Sequence, residues 1–564
     1  MLFTAYQAVT ARAALKDAAA DLHRVRDAVA AGDLPAAQGA LAQAQESTGT
    51  ARDNTDGPVW WLAGKLPVLG DDVGAVRTVA DVSDGLTHAV LPGLVDASAS
   101  LSPADLQPTD GRIDIDAIER VAPQVVAADR ELGIRVEQVA AIDTGGLIGQ
   151  VAGPVTDLRD TMTEVQSVTD AAARAVQLLP PMLGAEGPRT YLMLFQNNAE
   201  TRATGGIPGA VAVVSARDGR ISLGRQGTAQ DLGIFAQPVL PLTQDEASLF
   251  TPKVAQFAQN VNFTPDFPRT AQLAREMWQR SSGQTVDGVI STDPVGLSYL
   301  LEGTGPVGVP GGQQLTADNA VDVLLNDVYM NVADQEQQNA FFAVAARNVF
   351  DAVTSGRGDP RALLEGVSHV ARDDRLLLWS AHQREQALLS GTAIAGALPR
   401  VPTEQPAVGV YFNDGTGAKM GYYLDYDVRV DSLSCDADAR QRMRTTVVMR
   451  STAPPDAASL PESVIGPGFG ARPGTIRMNV LVYAPLGGAV QSLRFNGQPL
   501  DFASLDHDGR PVGTLTVDTA PGEEHELVFE MTGGPGQPGT ADLRVTPGAQ
   551  PHEDDGSVGA STCG

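Results

Sequence analysis

Helical spacing of apolar residues dominates the first third of the chain. In the Ala-rich stretch 11–44, charges recur every few residues and one helical face is apolar, with Leu15, Leu22, Val25 and Val29. Similar patterns follow at 115–132 and 155–179, where alternating Arg and Asp are typical of a solvated face. The pattern predicts a helical stalk or collar over residues 1–186.

The hydrophobic period changes after Arg189. Runs of apolar residues predict strands at 191–195, 210–215, 220–224 and 288–292. Helical patterns follow at 269–281, 294–301, 317–329 and 337–354. Strands alternating with helices predict an α/β layer, which we assign to residues 187–402.

A third pattern begins after Pro402. Short runs of alternating apolar and polar residues are separated by Gly and Pro, which predicts a β-sandwich over residues 403–548. The last segment, 549–564, is acidic and rich in small residues, and is predicted to be disordered. The predicted fold class is therefore a multidomain α+β protein.

The N-terminal segment 1–9, MLFTAYQAV, is apolar but far shorter than the roughly 20 residues of a membrane span. It also lacks the basic residues that begin a signal peptide. We interpret it as the trailing end of a transmembrane helix that starts upstream. This interpretation predicts a membrane-anchored protein.

Net charge, cysteine content and the lack of known catalytic motifs exclude several classes of function. The chain has 40 basic and 68 acidic residues, a formal net charge of -28, so nucleic-acid binding is not expected. Cys435 and Cys563 form no C-x-x-C motif. They fit either one disulfide of an exported protein or two inert thiols. The signatures of serine hydrolases, P-loop enzymes and dinucleotide-binding enzymes are not found.

A polar stretch between two predicted strands is the first candidate site. Residues 191–212 read YLMLFQNNAETRATGGIPGAVA, in which a predicted polar loop separates two apolar runs. Glycines allow a backbone to approach a ligand closely, and loops held by strands often carry function. The candidate ligand-binding residues are Asn197, Asn198, Glu200, Arg202, Thr204, Gly205 and Gly206. The alternative is a hairpin whose Asn and Gly residues only satisfy turn geometry.

A second candidate lies in NFTPDFPR at 262–269, where two prolines restrict the backbone around Asp266. Asp266 is the candidate metal ligand or acid–base catalyst, unless it only begins a helix. Arg202, Arg225 and Arg269 are the arginines nearest the predicted loops. Guanidinium groups around a carboxylate that holds Mg²⁺ would suit a pyrophosphate.

Several segments resemble a bacterial envelope family of unknown function. They are NNAETRATGG at 197–206, NFTPDFP at 262–268, VDGVISTDPV at 286–295, TGPV at 304–307 and GVYFNDGTGAKM at 409–420. The members of that family are mainly actinobacterial and other Gram-positive proteins with an N-terminal transmembrane helix. The resemblance implies an extracytoplasmic location on the cell membrane.

Residues 187–350 also resemble the LytR-CpsA-Psr phosphotransferases, which transfer glycans from polyprenyl pyrophosphate to peptidoglycan. The likeness rests on VDGVISTDPVGLSYLLEGTGPVGV at 286–309 and LTADNAVDVLL at 315–325. That family grips pyrophosphate with several arginines, whereas residues 329–339 here offer the amides Asn331, Gln335, Gln337 and Gln338. Amides cannot supply the positive charge on which phosphoryl transfer depends.

Together these features predict an envelope protein that binds a glycan or a polyprenyl-linked glycan precursor. In this hypothesis Arg202 contacts an anionic or hydroxyl-rich group, and Asn198 and Glu200 orient it. An active, Mg²⁺-dependent glycan phosphotransferase, with Arg202 and Asp266 as catalytic residues, is one alternative. A non-catalytic scaffold of an envelope complex is the other.

Overall fold

The computed structural model describes residues 2–67, 69–102, 104–109, 111–550 and 556–563. It is a multidomain α+β structure with several sheets. The chain divides into two compact units, Met1–Gly187 with Arg217–Gly219, and Pro188–Ala216 with Arg220–Gly564. Among the described residues, no helix combines the length and apolar content that a membrane span requires.

The first unit is helical, as predicted. Its helices are α1 (Leu2–Ala31), α2 (Leu34–Thr55), α3 (Pro58–Ala63), α4 (Gly70–Gly85), α5 (Leu91–Ser100), α6 (Ile115–Ala140) and α7 (Gly149–Met182). The apolar pattern at 11–44 spans two helices because the chain turns at Gly32, which has a positive φ of 74°. Asp33 then caps α2 by accepting a hydrogen bond from the Ala36 N–H.

The second unit begins with a mixed five-stranded sheet and its helices. Its elements are β1 (Arg189–Arg202), β2 (Gly205–Arg217), β3 (Arg220–Thr228), α8 (Gln244–Phe250), α9 (Phe267–Ser282), β4 (Gly288–Thr292), α10 (Pro294–Thr304), β5 (Val307–Gly308), β6 (Gln314–Leu315), α11 (Ala320–Asp322), α12 (Val328–Asn331), α13 (Gln335–Thr354), α14 (Pro360–Arg372), β7 (Leu377–Ser380) and α15 (Gln383–Leu389). The strand order is β3-β2-β1-β4-β7, in which β1 and β4 are parallel.

Two further sheets follow in the same unit. Their elements are β8 (Ala407–Asp414), β9 (Leu424–Cys435), β10 (Gln441–Ser451), α16 (Glu462–Ile465), β11 (Ile476–Tyr483), β12 (Ala489–Phe495), β13 (Gln498–Leu500), β14 (Ala503–His507), β15 (Arg510–Thr519), β16 (Glu524–Thr532), β17 (Asp542–Val545) and β18 (Ser557–Val558). The strand orders are β13-β12-β16-β10-β9-β18 and β14-β15-β11-β8-β17. One hydrophobic cluster takes side chains from both sheets, including Phe412, Val447, Val480 and Phe529.

The C-terminal segment is not disordered where the structure describes it. Residues 551–555 lie outside the described part, but β18 pairs in parallel with β9 through Ser557 and Val558. Cys563 forms a disulfide with Cys435 at the end of β9. The prediction of a disordered tail considered only local composition, whereas strand pairing and a covalent link over 128 residues are long-range effects.

Candidate functional site

The polar stretch at 197–206 forms strands rather than a loop. β1 continues to Arg202 and β2 begins at Gly205, so that only residues 203 and 204 connect them. The register shifts between Asn197 and Thr201, which is a β-bulge. Gly206 is required there, because a Cβ at this position would lie 2.1 Å from the Asn197 carbonyl oxygen. The prediction of a polar loop at 197–206 is therefore wrong, and the hairpin alternative describes the backbone.

Arg202 is buried and holds the first sheet against β8. Its Nη1 lies 3.9 Å from Asp414 Oδ2 and donates to the Thr201 carbonyl at 2.8 Å. Its guanidinium carbon is 4.7 Å from the ring centroid of Phe263, a cation–π contact. Burial lowers the pKa of Arg202, and the Asp414 charge opposes that shift. The contacts of Arg202 are thus made within the protein, and Arg202 lines neither cavity described below.

Asn198 is also fully buried and joins distant segments. Its Nδ2 donates to Asp293 Oδ2 at 2.8 Å and to the Pro547 carbonyl at 3.3 Å. Asp293 caps α10 through the Gly296 N–H and accepts from Arg375 Nη1 at 2.9 Å. The amide nitrogen of Asn198 is thus committed to the fold, and Asn198 lines neither of the two cavities described below.

Two residues of the polar stretch do reach a cavity. This cavity, of about 480 Å³, lies between β1 and β2 on one side and α10 and α13 on the other. We call it the apolar cavity because aliphatic and aromatic side chains form most of its wall: Met193, Phe195, Ile207, Leu297, Leu300, Leu324, Leu325, Phe342, Val349, Phe350 and Val353. Asn197 and Glu200 line it, together with Gln196.

An ion pair and a tyrosine contribute polar groups to the apolar cavity. Glu200 Oε1 lies 2.9 Å from Lys419 Nζ, and this Nζ is 4.5 Å from the Tyr329 ring centroid. The Tyr329 hydroxyl accepts a hydrogen bond from Asn197 Nδ2 at 2.9 Å. Burial, with a smaller effect of the Glu200 charge, raises the pKa of Tyr329, so its phenol stays neutral. Lys419 is the one basic side chain among the described residues that line this cavity, and its charge is balanced.

Carboxamides outnumber charges in the lining. Seven of them contribute: Gln196, Asn197, Gln230, Gln259, Gln335, Gln338 and Asn339. Each carboxamide can both donate and accept hydrogen bonds. Gln335 and Gln338 were predicted only to stand where the resembling family has arginines. The apolar wall was not predicted, although α13 carries Phe342, Val349 and Phe350 at helical spacing.

Asp266 and Arg269 lie in a different cavity, a polar cleft of about 850 Å³ that shares no lining residue with the apolar cavity. Asp266 Oδ1 accepts from the Leu398 N–H at 3.1 Å, and Oδ2 accepts from Arg400 Nη2 at 3.1 Å. Arg269 makes two hydrogen bonds with Glu246, at 2.6 and 3.1 Å. Both candidate residues are thus paired within the protein.

The predicted cluster of arginines around Asp266 does not form. Arg225 is exposed, with its guanidinium 5.3 Å from the Trp278 ring centroid and 3.8 Å from Asp231. Arg202 is paired with Asp414 instead. Within the described ranges, no group of three or more His, Cys, Asp or Glu side chains is placed to hold a metal ion. The three arginines lie near the predicted loops in the sequence, but the strand register places them at separate positions in the fold.

The fold and cavities define an α+β protein with a partly open apolar cavity in its sheet-and-helix layer. Residues 186–329 are similar to a family described as protein of unknown function (DUF4012). This match agrees with the predicted resemblance to a family of unknown function. No curated protein matches the chain.

Among solved structures, the crystal structure of an M1 zinc metallopeptidase from Deinococcus radiodurans matches at 18% identity. The match covers 23% of this chain and 29% of that one, with a TM-score of 0.13. Because that score is far below the level of a shared fold, no inference rests on it.

Replacing Arg202 tests its structural role. Arg202→Ala is expected to lower the free energy of unfolding by about 3–5 kcal/mol, because it leaves the buried Asp414 carboxylate without its counter-charge. Chemical denaturation of the full chain measures this change. Arg225→Ala is the control, and should change the stability by no more than about 0.5 kcal/mol because Arg225 is exposed. Equal effects of the two substitutions would contradict the assignment.

Two substitutions at Asp266 separate a hydrogen-bonding role from a charged one. Asp266→Ala removes the buried acceptor of the Leu398 N–H and should cost about 1–3 kcal/mol. Asp266→Asn keeps an acceptor oxygen and should cost less than about 1 kcal/mol at neutral pH.

Burial raises the pKa of Asp266. The stability of the wild type relative to Asp266→Asn should therefore fall as the pH rises from the unfolded-state pKa, about 3.9, through the folded-state pKa. Urea denaturation across this pH range would refute the prediction if the relative stability rose.

Proposed function

We propose that the second unit binds an amphipathic molecule with a long apolar chain and an uncharged, hydroxyl-rich head group. An envelope glycolipid whose sugar is joined to its apolar chain without a phosphate has this chemistry, whereas a polyprenyl pyrophosphate-linked precursor does not. The observation that carries the proposal is the apolar cavity, whose aliphatic and aromatic wall meets a set of carboxamides and one balanced ion pair. Ligand sites commonly combine such walls with a few polar groups.

The wall composition favours a hydrocarbon chain. The side chains of Leu297, Leu300, Phe342 and Phe350 offer no hydrogen-bonding groups, so a polar ligand would lose its hydration there without compensation. A hydrocarbon chain gains roughly 0.8 kcal/mol for each methylene that leaves water. The ligand is therefore expected to place its chain against α10 and α13.

The polar groups favour a neutral head. Of the seven carboxamides in the lining, Gln196 and Asn197 use both donor and acceptor within the protein. The carboxamides that can pair with sugar hydroxyls are those of Gln259, Gln335 and Asn339. A pyrophosphate would need several positive charges, whereas Glu200 already neutralises Lys419 at 2.9 Å. This charge balance supports a binding role and argues against the alternative of glycan phosphoryl transfer.

The proposed location is the extracytoplasmic face of the cell membrane. The Cys435–Cys563 disulfide supports it, because disulfides form and persist in oxidising compartments outside the cytosol. In this proposal the first sheet with its helices is the LytR-CpsA-Psr-like layer, and the two C-terminal sheets form a β-sandwich.

Filling the apolar cavity tests chain binding. Ala346 on α13 lines the cavity, so Ala346→Trp should lower the affinity for dodecyl maltoside, below its micelle concentration, by at least about tenfold. Ala340 is exposed on the same helix and does not line the cavity, so Ala340→Trp is the matched control. Isothermal titration calorimetry measures both. Equal affinities of the two variants would refute chain binding in this cavity.

Changing the charge balance tests the head-group argument. Glu200→Gln leaves Lys419 without its counter-ion, so the preference should shift from dodecyl maltoside towards dodecyl phosphate. We expect the ratio of the two affinities to change by about tenfold, which corresponds to about 1.4 kcal/mol. An unchanged ratio in the same titration would show that this ion pair does not face the head group.

A further inference from the structure

The segment that follows α2 in the first unit exposes large apolar side chains. Five of them are about half exposed or more, between 48% and 63%: Val59, Trp61, Leu62, Leu66 and Leu69. Trp60 is buried at 5% and holds the segment to the unit. Folded monomers seldom leave several large apolar side chains exposed so close together in sequence without a binding role.

A second exposed apolar group lies at the same end of the α1–α2 hairpin. The two helices are antiparallel, because Arg24 donates to Gln43 at 2.9 Å and Ser47 donates to Asp21 at 3.2 Å. Moving towards the start of α1 therefore means moving towards the end of α2. The first turns of α1 accordingly lie beyond the end of α2, the end after which α3 begins, and there Tyr6 and Val9 are 68% and 69% exposed.

We propose that this end of the first unit inserts into the interface of a lipid bilayer. We call it the apolar tip, defined as Tyr6, Val9 and the five exposed side chains of residues 58–69. The proposal is independent of the apolar cavity and of the ligand proposed for it. It concerns insertion at the membrane surface, which needs no membrane-spanning helix among the described residues.

The side-chain chemistry of the tip favours a bilayer as its occupant. Trp61 has an indole ring of the kind that concentrates at membrane–water interfaces, where its apolar body and polar N–H meet different surroundings. Lys65 Nζ lies 5.7 Å from the Trp61 ring centroid. A lysine in this place can keep its ammonium group among the head groups while its methylenes lie against apolar groups.

Carboxylates next to the apolar tip indicate which lipid head-group charge it should tolerate. Asp56 and Asp71 flank the segment and are exposed, and Asp56 is paired with Arg77 at 3.2 Å. Polybasic segments are the ones attracted to anionic leaflets, so acidic flanks give no such attraction. The apolar tip is therefore expected to bind zwitterionic bilayers at least as well as anionic ones.

The distribution of tryptophans allows a specific experiment. Of the four tryptophans, Trp61 is 58% exposed, whereas Trp60, Trp278 and Trp379 are 8% exposed or less. Quenching of tryptophan emission by phosphatidylcholine brominated in its acyl chains should thus report on Trp61. We expect quenching of the full chain and its flotation with phosphatidylcholine vesicles. Trp61→Phe should abolish the quenching and leave the flotation.

Paired variants separate a specific tip from general apolar exposure. Leu62→Ser with Leu66→Ser should reduce the vesicle-bound fraction at least about tenfold. Val168→Ser with Ile234→Ser is the control, because those side chains are 66% and 68% exposed elsewhere. Circular dichroism establishes that each variant is folded. The proposal is overturned by a wild type that does not float with phosphatidylcholine, or by equal binding of the two double variants. It is also overturned if binding requires phosphatidylglycerol, or if the tip instead mediates concentration-dependent self-association in the absence of lipid.

Discussion

The buried contact between Arg202 and Asp414 is the charged link between the first sheet of the second unit and β8. It joins the end of β1 to the end of β8, and therefore connects the first sheet to the C-terminal sheet that contains β8. Its neighbours repeat the connection: the Ala203 N–H donates to Asn413 Oδ1, and Thr546 Oγ1 donates to the Ala203 carbonyl. The backbone approach is so close that a Cβ at Gly421 would lie 2.4 Å from Thr201 Oγ1.

The contact between the ends of β1 and β8, which we call the joint, has an energetic cost because it buries two charged side chains. Moving a guanidinium and a carboxylate out of water is unfavourable unless their hydrogen bonds are satisfied. Asp414 meets this requirement by accepting from Thr416 Oγ1 at 2.5 Å and from the Gly417 N–H at 2.6 Å. We interpret the pair as a device that selects one arrangement of the sheets, since an apolar contact would tolerate sliding.

The same joint positions the polar groups of the apolar cavity. The bulge that carries the chain from Asn197 to Thr201 places Asn197 and Glu200 in the cavity lining, while Asn198 and Arg202 are buried in the joint. Lys419 follows β8 in the chain and reaches Glu200 only because β8 is held beside β1. Residues 197–202 therefore contribute both to the lining of the apolar cavity and to the contact between the sheets.

The sequence by itself determined the secondary structure of most segments and the coarse α+β organisation, because hydrophobic period and turn residues act locally. Strands at 191–195 and 288–292, and helices at 269–281 and 337–354, required no knowledge of their partners. Only the tertiary structure decided which polar residues meet. Asn198 and Pro547 are 349 residues apart, and Glu200 meets Lys419 across the joint. Asp266 and Arg202, which looked equivalent as candidates, have different partners for the same reason. Burial and strand register act between distant segments, and no local pattern encodes them.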